Sequence, residues 1–476
     1  MRIGVATNHK YLDEVQSVSQ IFFPHARFDA VKVPSKEGGF YTIASFFENG
    51  RVYSEIFCDD HSLGVHSLSL HGWPDCLNDK RLAMLSMYRL MQDTIGAFAP
   101  WGALTGVRPT KMIREWMEKG RADDMNIRVL QDIFHVQEDR AQLAVAVAHA
   151  ENHIAAKINK NDISLYISIP FCPSCCVYCS FNTANKPWDA QAQAKYIQAL
   201  VAECRDVSQT IRDMHCNVSS IYIGGGTPTA LPDDLLESLL GAIQEETASF
   251  IIPGTLEYTI EAGRPDTITC QNLRIMRKYG VNRISINPQT FNDQTLKIIG
   301  RNHTSRDIYT AFYAAREEGF TCINADIIAG LPVEGPKDMH QTMENLARLA
   351  PENITIHTLS VKRASKLNEN RTEQVYTPPD ATTIKSQLKI AHGSCISQGH
   401  SPYYLYRQKN MTALFENTGY SLPGHECLYN VAMMSEVQTV LGIGAGAVTK
   451  FIDDTKITRK FNVKNPEIYI ERRSNL

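Results

Sequence analysis

The chain has 476 residues, of which 43% are hydrophobic and 21% are charged, with a formal net charge of −3. This length exceeds one ordinary hydrophobic core, so we expect two or three domains, and the balanced charge argues against nucleic acid as the main partner. No apolar run is long enough to cross a bilayer and no secretory signal opens the sequence, so we expect a cytoplasmic protein without membrane insertion.

The first third of the chain contains two kinds of pattern. Residues 1–60 alternate short β-forming runs with turn signals, which predicts a small α/β domain over residues 1–76. From Asn78 to about residue 158, apolar residues recur every three or four positions, which predicts a helical region over residues 77–160. A Gly- and Pro-containing segment, residues 101–109, marks a loop between its helices.

The middle of the chain repeats one unit six times, a short β-branched run followed by an amphipathic helix. This pattern predicts an α/β fold whose parallel strands are joined by crossover helices, over residues 161–363. The periodicity is compatible with a partial barrel and with an open doubly wound sheet. Both architectures place an active site at the carboxyl ends of the strands. Residues 364–476 are rich in aromatic and turn residues. The strand runs are Leu165–Ile169, Ile221–Ile223, Tyr258–Ile260, Arg283–Ile286, Ile323–Ile328 and Ile354–Ile356.

Four of the twelve cysteines lie within residues 172–179, directly after the first predicted strand of this repeat. Clustered thiols in a large chain without a secretion signal indicate metal binding. Three residues separate Cys172 from Cys176, and two separate Cys176 from Cys179. A loop of this spacing can hold three corners of a [4Fe–4S] cubane and leave one iron open. The other readings are a redox pair of Cys172 with Cys175 and a zinc knuckle, although no second pair of zinc ligands follows.

Polar or glycine-rich segments follow the next strands at the same predicted edge of the sheet. Gly224–Thr229 follows the second strand, and Glu261 ends the third. Asn287–Asn292 follows the fourth strand, with Gly300–Thr304 shortly after it, and Asp326 lies in the fifth. Taken singly, each of these would more often be a structural turn or a hydrogen-bonding group at a strand end. Their agreement along one edge favours a common binding site.

These motifs together resemble the radical S-adenosylmethionine (SAM) superfamily, whose core is a partial (β/α)6 barrel. Within it they resemble the oxygen-independent coproporphyrinogen III oxidase (coproporphyrinogen dehydrogenase) family, closest to its HemZ-type form. The segments TGVRP, IHTLSVKRAS, PYYLYRQKN and LGIGAGA extend the resemblance over about residues 100–450. The resemblance implies a [4Fe–4S] cluster, SAM, and radical oxidative decarboxylation of coproporphyrinogen III. In that reaction two propionates become vinyl groups, giving protoporphyrinogen IX in anaerobic haem biosynthesis. We expect residues 364–476 to cap the substrate.

The resemblance also implies roles for individual residues. The cluster ligands would be Cys172, Cys176 and Cys179, and the catalytic residues would be Tyr166, Gln289 and Arg301. The residues implied to bind SAM are Tyr166, Tyr178, Gly225, Gly226, Thr227, Glu261, Gln289, Arg301 and Asp326. The implied partners are a tetrapyrrole substrate and an electron donor such as flavodoxin or ferredoxin. The propionates of the tetrapyrrole need cationic partners. The candidates are Arg108, Lys111, Lys362, Arg363, Arg407 and Lys409.

Two positions depart from the family pattern. Phe181 stands where members acting on coproporphyrinogen usually have a fourth, non-ligand cysteine, and Ser168 stands where His is common. Haem-carrying relatives also lack that cysteine. Two alternatives therefore stay open: a haem-binding carrier of the same family, and a radical enzyme that opens or methylates a haem-like macrocycle.

Overall fold

The computed structural model describes residues 1–24, 26–32, 40–59, 61–72, 74, 77–97, 99–106, 108–179, 188–361, 376–408, 412–453 and 456–474. Contacts within the chain divide it into two compact units. The first unit comprises Met1–Ala148 and Arg407–Phe415, and the second comprises His149–Tyr406 and Glu416–Leu476. The finer division into four regions stays a prediction.

The first unit contains a five-stranded sheet in the order β2-β1-β3-β4-β5. Strand β1 runs parallel to β2 and β3, whereas β4 and β5 continue antiparallel. The aliphatic residues on β1, β3 and β4 are buried, as the β-type runs predict, whereas β5 was not predicted and leaves Leu63 and Val65 exposed. The strands are Arg2–Thr7, Arg27–Ala30, Tyr41–Glu48, Arg51–Cys58 and His61–Ser69. The helices that follow in this part of the chain are α1 to α5, namely Leu12–Phe22, Asp79–Thr94, Thr110–Glu118, Asp123–Arg128 and Glu138–Ala155.

The second unit is built around six parallel strands, β6 to β11, each followed along the chain by helical segments. The strands are almost continuously buried, as expected when helices cover both faces of a parallel sheet. They are Ile163–Ile169, Val218–Gly225, Glu257–Gly263, Arg283–Ile286, Ile323–Ala329 and Asn353–Thr358. The intervening helices α6 to α11 are Ala190–Met214, Asp233–Thr247, Cys270–Lys278, Asp293–Ile298, Ser305–Glu317 and Pro336–Leu349. The predicted α/β class is confirmed.

The C-terminal part of the chain extends this sheet at both edges, giving eleven strands in the order β12-β13-β11-β10-β9-β8-β7-β6-β14-β15-β16. Strand β14 pairs parallel to β6, and the other added strands are antiparallel. Among the described residues, β6 and β11 are not hydrogen-bonded to each other. The added strands are Ser401–Tyr406, Asn417–Ser421, Thr439–Ile443, Val448–Asp453 and Lys456–Phe461, and the helices α12 to α14 are Ala381–Ser397, Leu428–Ser435 and Pro466–Ser474.

In the part of the chain that the structure describes, every helix is too short or too polar to cross a membrane.

Candidate active site

The cysteine loop, residues 170–179, leaves the end of β6 and is held from two sides. The amide of Gly226, just after β7, donates to the carbonyl of Ile169 at 2.7 Å. From the other side, the amide of Val177 donates to the carbonyl of Ile299, at the end of α9, at 3.1 Å. These backbone hydrogen bonds fix the loop at the carboxyl edge of the parallel strands, where the sequence predicted a site.

The four thiols of this loop differ in exposure. Cys172, Cys176 and Cys179 are half-buried, whereas Cys175 is exposed. The Sγ atom of Cys172 lies 3.4 Å from the Oγ1 atom of Thr227. Among the described residues, no three His, Cys, Asp or Glu side chains converge as they would around a single metal ion. A cubane presents separate irons to its thiolates, so its ligands do not need to meet at one point. The assignment of the three ligands stays a prediction.

A buried arginine that sequence reasoning did not single out supports the cysteine loop. Arg264 is 3% exposed and follows β8. Its guanidinium donates to the hydroxyl of Ser174 at 2.6 Å and, through two nitrogens, to the carboxylate of Asp266 at 3.0 Å each. Asp266 also lies 3.7 Å from His303. Burial acts to raise the pKa of Asp266, but His303 and Arg264 outweigh it and hold that pKa well below its ordinary value. The arrangement ties the loop to the β8 end.

The glycines at the end of β7 allow a close approach that side chains would prevent. A Cβ atom on Gly226 would lie 2.4 Å from the carbonyl oxygen of Phe171, and one on Gly224 would lie 2.7 Å from the carboxyl carbon of Glu261. Gly225 has a φ of +105°, which side-chain-bearing residues rarely adopt, and its amide donates to Glu261 at 3.2 Å. Glycine is therefore required here by both space and backbone conformation.

Two carboxylates at this edge have pKa values shifted in opposite directions. Burial raises the pKa of Glu261, and the hydrogen bond from the Tyr222 hydroxyl, 2.7 Å long, only partly opposes this effect. Burial also acts to raise the pKa of Asp326, but His357, 3.5 Å away, and the amide of Asn324, 2.7 Å away, outweigh it and lower the pKa. The site thus holds one carboxylate strongly as an anion and another that binds a proton more readily.

Gln289 and Arg301 carry buried polar atoms without a hydrogen-bond partner among the described residues. Gln289 has a φ of +69°, and its amide donates to the carbonyl of Asp326 at 2.9 Å, while its side-chain oxygen has no partner. Arg301 donates to the hydroxyl of Tyr178 at 3.2 Å and to the carbonyl of Asn287 at 3.1 Å, but its Nε has no partner. Such atoms are costly unless a ligand satisfies them.

A stack of tyrosines lies next to Glu261. Tyr166 and Tyr222, paired on β6 and β7, have ring centroids 6.4 Å apart. Tyr429, from α13 in the C-terminal region, stacks at 4.5 Å on Tyr222 and at 6.1 Å on Tyr166. We call these three side chains the tyrosine wall. The C-terminal region therefore packs against predicted site residues, and Tyr404 is part of the same buried cluster.

The remaining predicted residues belong to the first unit or lie outside the described residues. Arg407 is buried in the first unit, where it donates to the carbonyls of Leu104 and Leu414 and lies 5.6 Å from the ring centroid of Trp101. Arg108 and Lys111 also belong to the first unit. Phe181, Lys362, Arg363 and Lys409 lie outside the described residues.

Three further residues touch the predicted site without having been predicted: Tyr222, Arg264 and Tyr429. Arg264 lies in the EAGRP segment with Glu261, and Tyr222 lies two residues before Gly224, the first of the glycines at the end of β7. Those positions were the only available signals. Tyr429 lies 103 residues after Asp326, the predicted SAM-binding residue nearest to it in the sequence, and no local pattern marks it.

Comparison with known proteins agrees with this geometry. Residues 166–346 match the radical SAM superfamily. The chain is 38% identical to an oxygen-independent coproporphyrinogen-III oxidase-like protein HemZ of Bacillus subtilis, over 80% of this chain and 76% of the relative. It is 30% identical to the heme chaperone HemW of the same organism, over 60% of this chain and 70% of the relative. The solved coproporphyrinogen III oxidase HemN of Escherichia coli superposes with a TM-score of 0.55 at 23% identity, covering 69% of this chain and 72% of that chain.

The chain therefore belongs to the radical SAM superfamily and, within it, to the oxygen-independent coproporphyrinogen III oxidase-like family of the HemZ type. This confirms the predicted family, the radical SAM fold, and the two cofactors, a [4Fe–4S] cluster and SAM. The residues present fit both groups. The half-buried thiols suit a cluster, and the glycine approach with the unsatisfied atoms of Gln289 and Arg301 suits a polar ligand beside it.

Proposed function

We propose that this protein is a cytoplasmic enzyme that oxidatively decarboxylates two propionates of coproporphyrinogen III to vinyl groups, giving protoporphyrinogen IX. The observation that carries the proposal is the tyrosine wall beside Glu261. It offers a flat aromatic face, contributed by both the barrel and the C-terminal region, next to the carboxylates and glycines at the strand ends. Aromatic side chains pack well against the pyrrole rings of a tetrapyrrole.

The roles of the residues follow from their charges and positions. Cys172, Cys176 and Cys179 would hold the cluster through their thiolates. The glycines at the end of β7 would let SAM lie against the backbone, Arg301 suits its carboxylate, and Glu261 suits its ammonium group. The bound cluster and SAM together supply an electron and a carbon-centred radical that removes a hydrogen atom from the substrate.

The chain itself would orient the substrate and exclude water. Tyr166 and Tyr222 lie half-buried, and Tyr429 covers them, so the site edge is dry and aromatic. A dry site protects a reactive radical from side reactions. The propionates require cations, and Arg407 is engaged with backbone carbonyls in the first unit. Lys362 and Arg363, which follow β11 in the sequence, therefore become the preferred partners among the predicted cations.

The second candidate function is a haem carrier. The likeness to HemW, whose name describes a heme chaperone, favours it, as does Phe181 in the place of a fourth cysteine. A carrier would keep the cluster loop and the tyrosine wall but release no CO2. We prefer the enzyme because the likeness to the HemZ relative is higher and covers more of the chain.

Strictly anaerobic turnover decides between the candidates. The reconstituted protein is mixed with coproporphyrinogen III, SAM and a reductant, and the pigments are oxidised and separated by mass. Protoporphyrin or the three-propionate intermediate, formed together with methionine and absent with a Cys172→Ala variant, supports the enzyme. Tight haem binding without these products, across several reductants and acceptors, supports the carrier. A methylated or opened macrocycle indicates a different radical enzyme.

A further inference from the structure

The exposed edge of the large sheet carries a group of cations. Residues 456–466, which form β16 and the segment after it, contain Lys456, Arg459, Lys460 and Lys464 and no aspartate or glutamate. Arg459 pairs with Glu436 at 2.8 Å, whereas Lys460 and Lys464 are exposed. In a chain with more acidic than basic residues overall, this edge is a local exception.

An exposed aromatic ring lies between these lysines. Phe461 is 69% exposed, the most of any large hydrophobic side chain in the described part of the chain. It ends β16, opposite Val448 on β15. We call residues 460–464 the basic edge. Lysines around an apolar centre resemble the rim and core of a transient protein interface.

The basic edge lies at the same end of the sheet as the cysteine loop. The amide of Gly446 donates to the carbonyl of Val463 at 2.8 Å, which places the basic edge beside the β14–β15 turn. In the same turn, the carbonyl of Ala445 accepts a hydrogen bond of 2.9 Å from the hydroxyl of Ser168. Ser168 precedes Cys172 by four residues. Three strand spacings separate β6 from β16, or roughly 14 Å.

We propose that the basic edge is the docking surface for an acidic protein that carries a one-electron donor and reduces the cluster. The inference rests on the cluster-dependent part of the proposed function and is independent of the tetrapyrrole substrate. Negative charge on the donor complements Lys460 and Lys464, and Phe461 supplies the apolar contact at the centre. The hydrogen bonds from Gly446 to Val463 and from Ser168 to Ala445 join this surface, through the β14–β15 turn, to the end of β6. They give the electron a short path to the start of the cysteine loop. One electron leaves the reduced donor, which becomes oxidised by one electron, and enters the oxidised cluster.

The test compares a protein donor with a small reductant. The probe is purified, fully reduced flavodoxin, a small acidic flavoprotein, and the readout is bleaching of the cluster absorbance in stopped flow, with binding measured separately by calorimetry. The variants are Lys460→Glu with Lys464→Glu, the milder Lys460→Gln with Lys464→Gln, and Phe461→Ser. The matched control reverses the charge of two exposed lysines on other helices, Lys337→Glu on α11 and Lys389→Glu on α12.

The charge reversal is expected to slow reduction by flavodoxin at least tenfold at low ionic strength, with the Gln pair intermediate and the control pair unchanged. The effect is expected to shrink in high salt, because screening weakens interactions between exposed charges. Reduction by dithionite is expected to stay unchanged in every variant. Equal slowing in the control pair, an unchanged rate with flavodoxin, or equal loss with dithionite would each overturn the proposal. Failure to make protoporphyrin with normal cluster reduction would instead count against the substrate.

Discussion

Glu334, in the loop after β10, links stability to pH. Its side chain is 4% exposed and accepts a hydrogen bond of 2.6 Å from the hydroxyl of Thr290, the neighbour of Gln289. Burial raises the pKa of Glu334 to about 7, against 4.5 ordinarily, and the hydrogen bond from Thr290 opposes this only in part. The folded protein therefore holds a proton that the unfolded chain releases at lower pH.

The sign and the size of the effect follow from linkage. A raised pKa in the folded state stabilises the protein fully below about pH 4.5, and this stabilisation is lost as the pH rises through about 7. A shift between these two values corresponds to about 3 kcal/mol, since a tenfold change in proton affinity is worth about 1.4 kcal/mol. In the Glu334→Gln variant the amide oxygen can accept the same hydrogen bond at every pH. The stability of the wild type relative to this variant should therefore fall by about 3 kcal/mol over that range.

Urea unfolding of the reconstituted protein at several pH values between 5 and 8, kept anaerobic, measures this difference. The control is Glu344→Gln on α11, whose carboxylate side chain is 57% exposed, and whose difference from the wild type should stay small at every pH. This linkage would be refuted if the free energy of unfolding of the wild type relative to Glu334→Gln stayed constant with pH or increased as the pH rises.

The other predictions concern the cluster and SAM. Cys176→Ala is expected to lose iron and the cluster absorbance at about 400 nm, while Cys175→Ala keeps both. The opposite result would mean that a different set of cysteines binds the cluster. Arg301→Ala and Asp326→Ala are expected to assemble the cluster but to cleave SAM about ten- to a hundredfold less well. The reason is that a charge-assisted hydrogen bond contributes about 1.5–3 kcal/mol. Unchanged 5′-deoxyadenosine formation would contradict this expectation. Arg264→Lys is expected to lower iron occupancy after reconstitution, since lysine cannot bridge Ser174 and Asp266 with a planar guanidinium. Full iron occupancy with an unchanged cluster spectrum would argue against a role of Arg264 in holding the cysteine loop.

Residue patterns in the sequence were enough to predict the class of the fold and the chemistry of the cysteine loop. The six β-branched runs correspond to β6 to β11, because a strand buried on both faces needs a continuous apolar run. The spacing of the cysteines predicted a cluster, because three thiolates on one short loop can reach three irons without help from the rest of the chain. The glycines at the end of β7 could be singled out for the same reason, since glycine in a tight turn is a local feature of the sequence.

The residues that join the site from distant parts of the chain could be recognised in the folded protein alone. Strand β14 pairs with β6 although about 270 residues separate them, and Tyr429 stacks on Tyr166 from the far end of the chain. The tertiary structure also assigned Arg407 to backbone carbonyls in the first unit, where the sequence had suggested a propionate clamp. Periodicity records which face of an element is buried, but not which element covers it. That partner is selected by hydrogen-bond register and side-chain packing between segments far apart in the sequence, and these exist only in the folded chain.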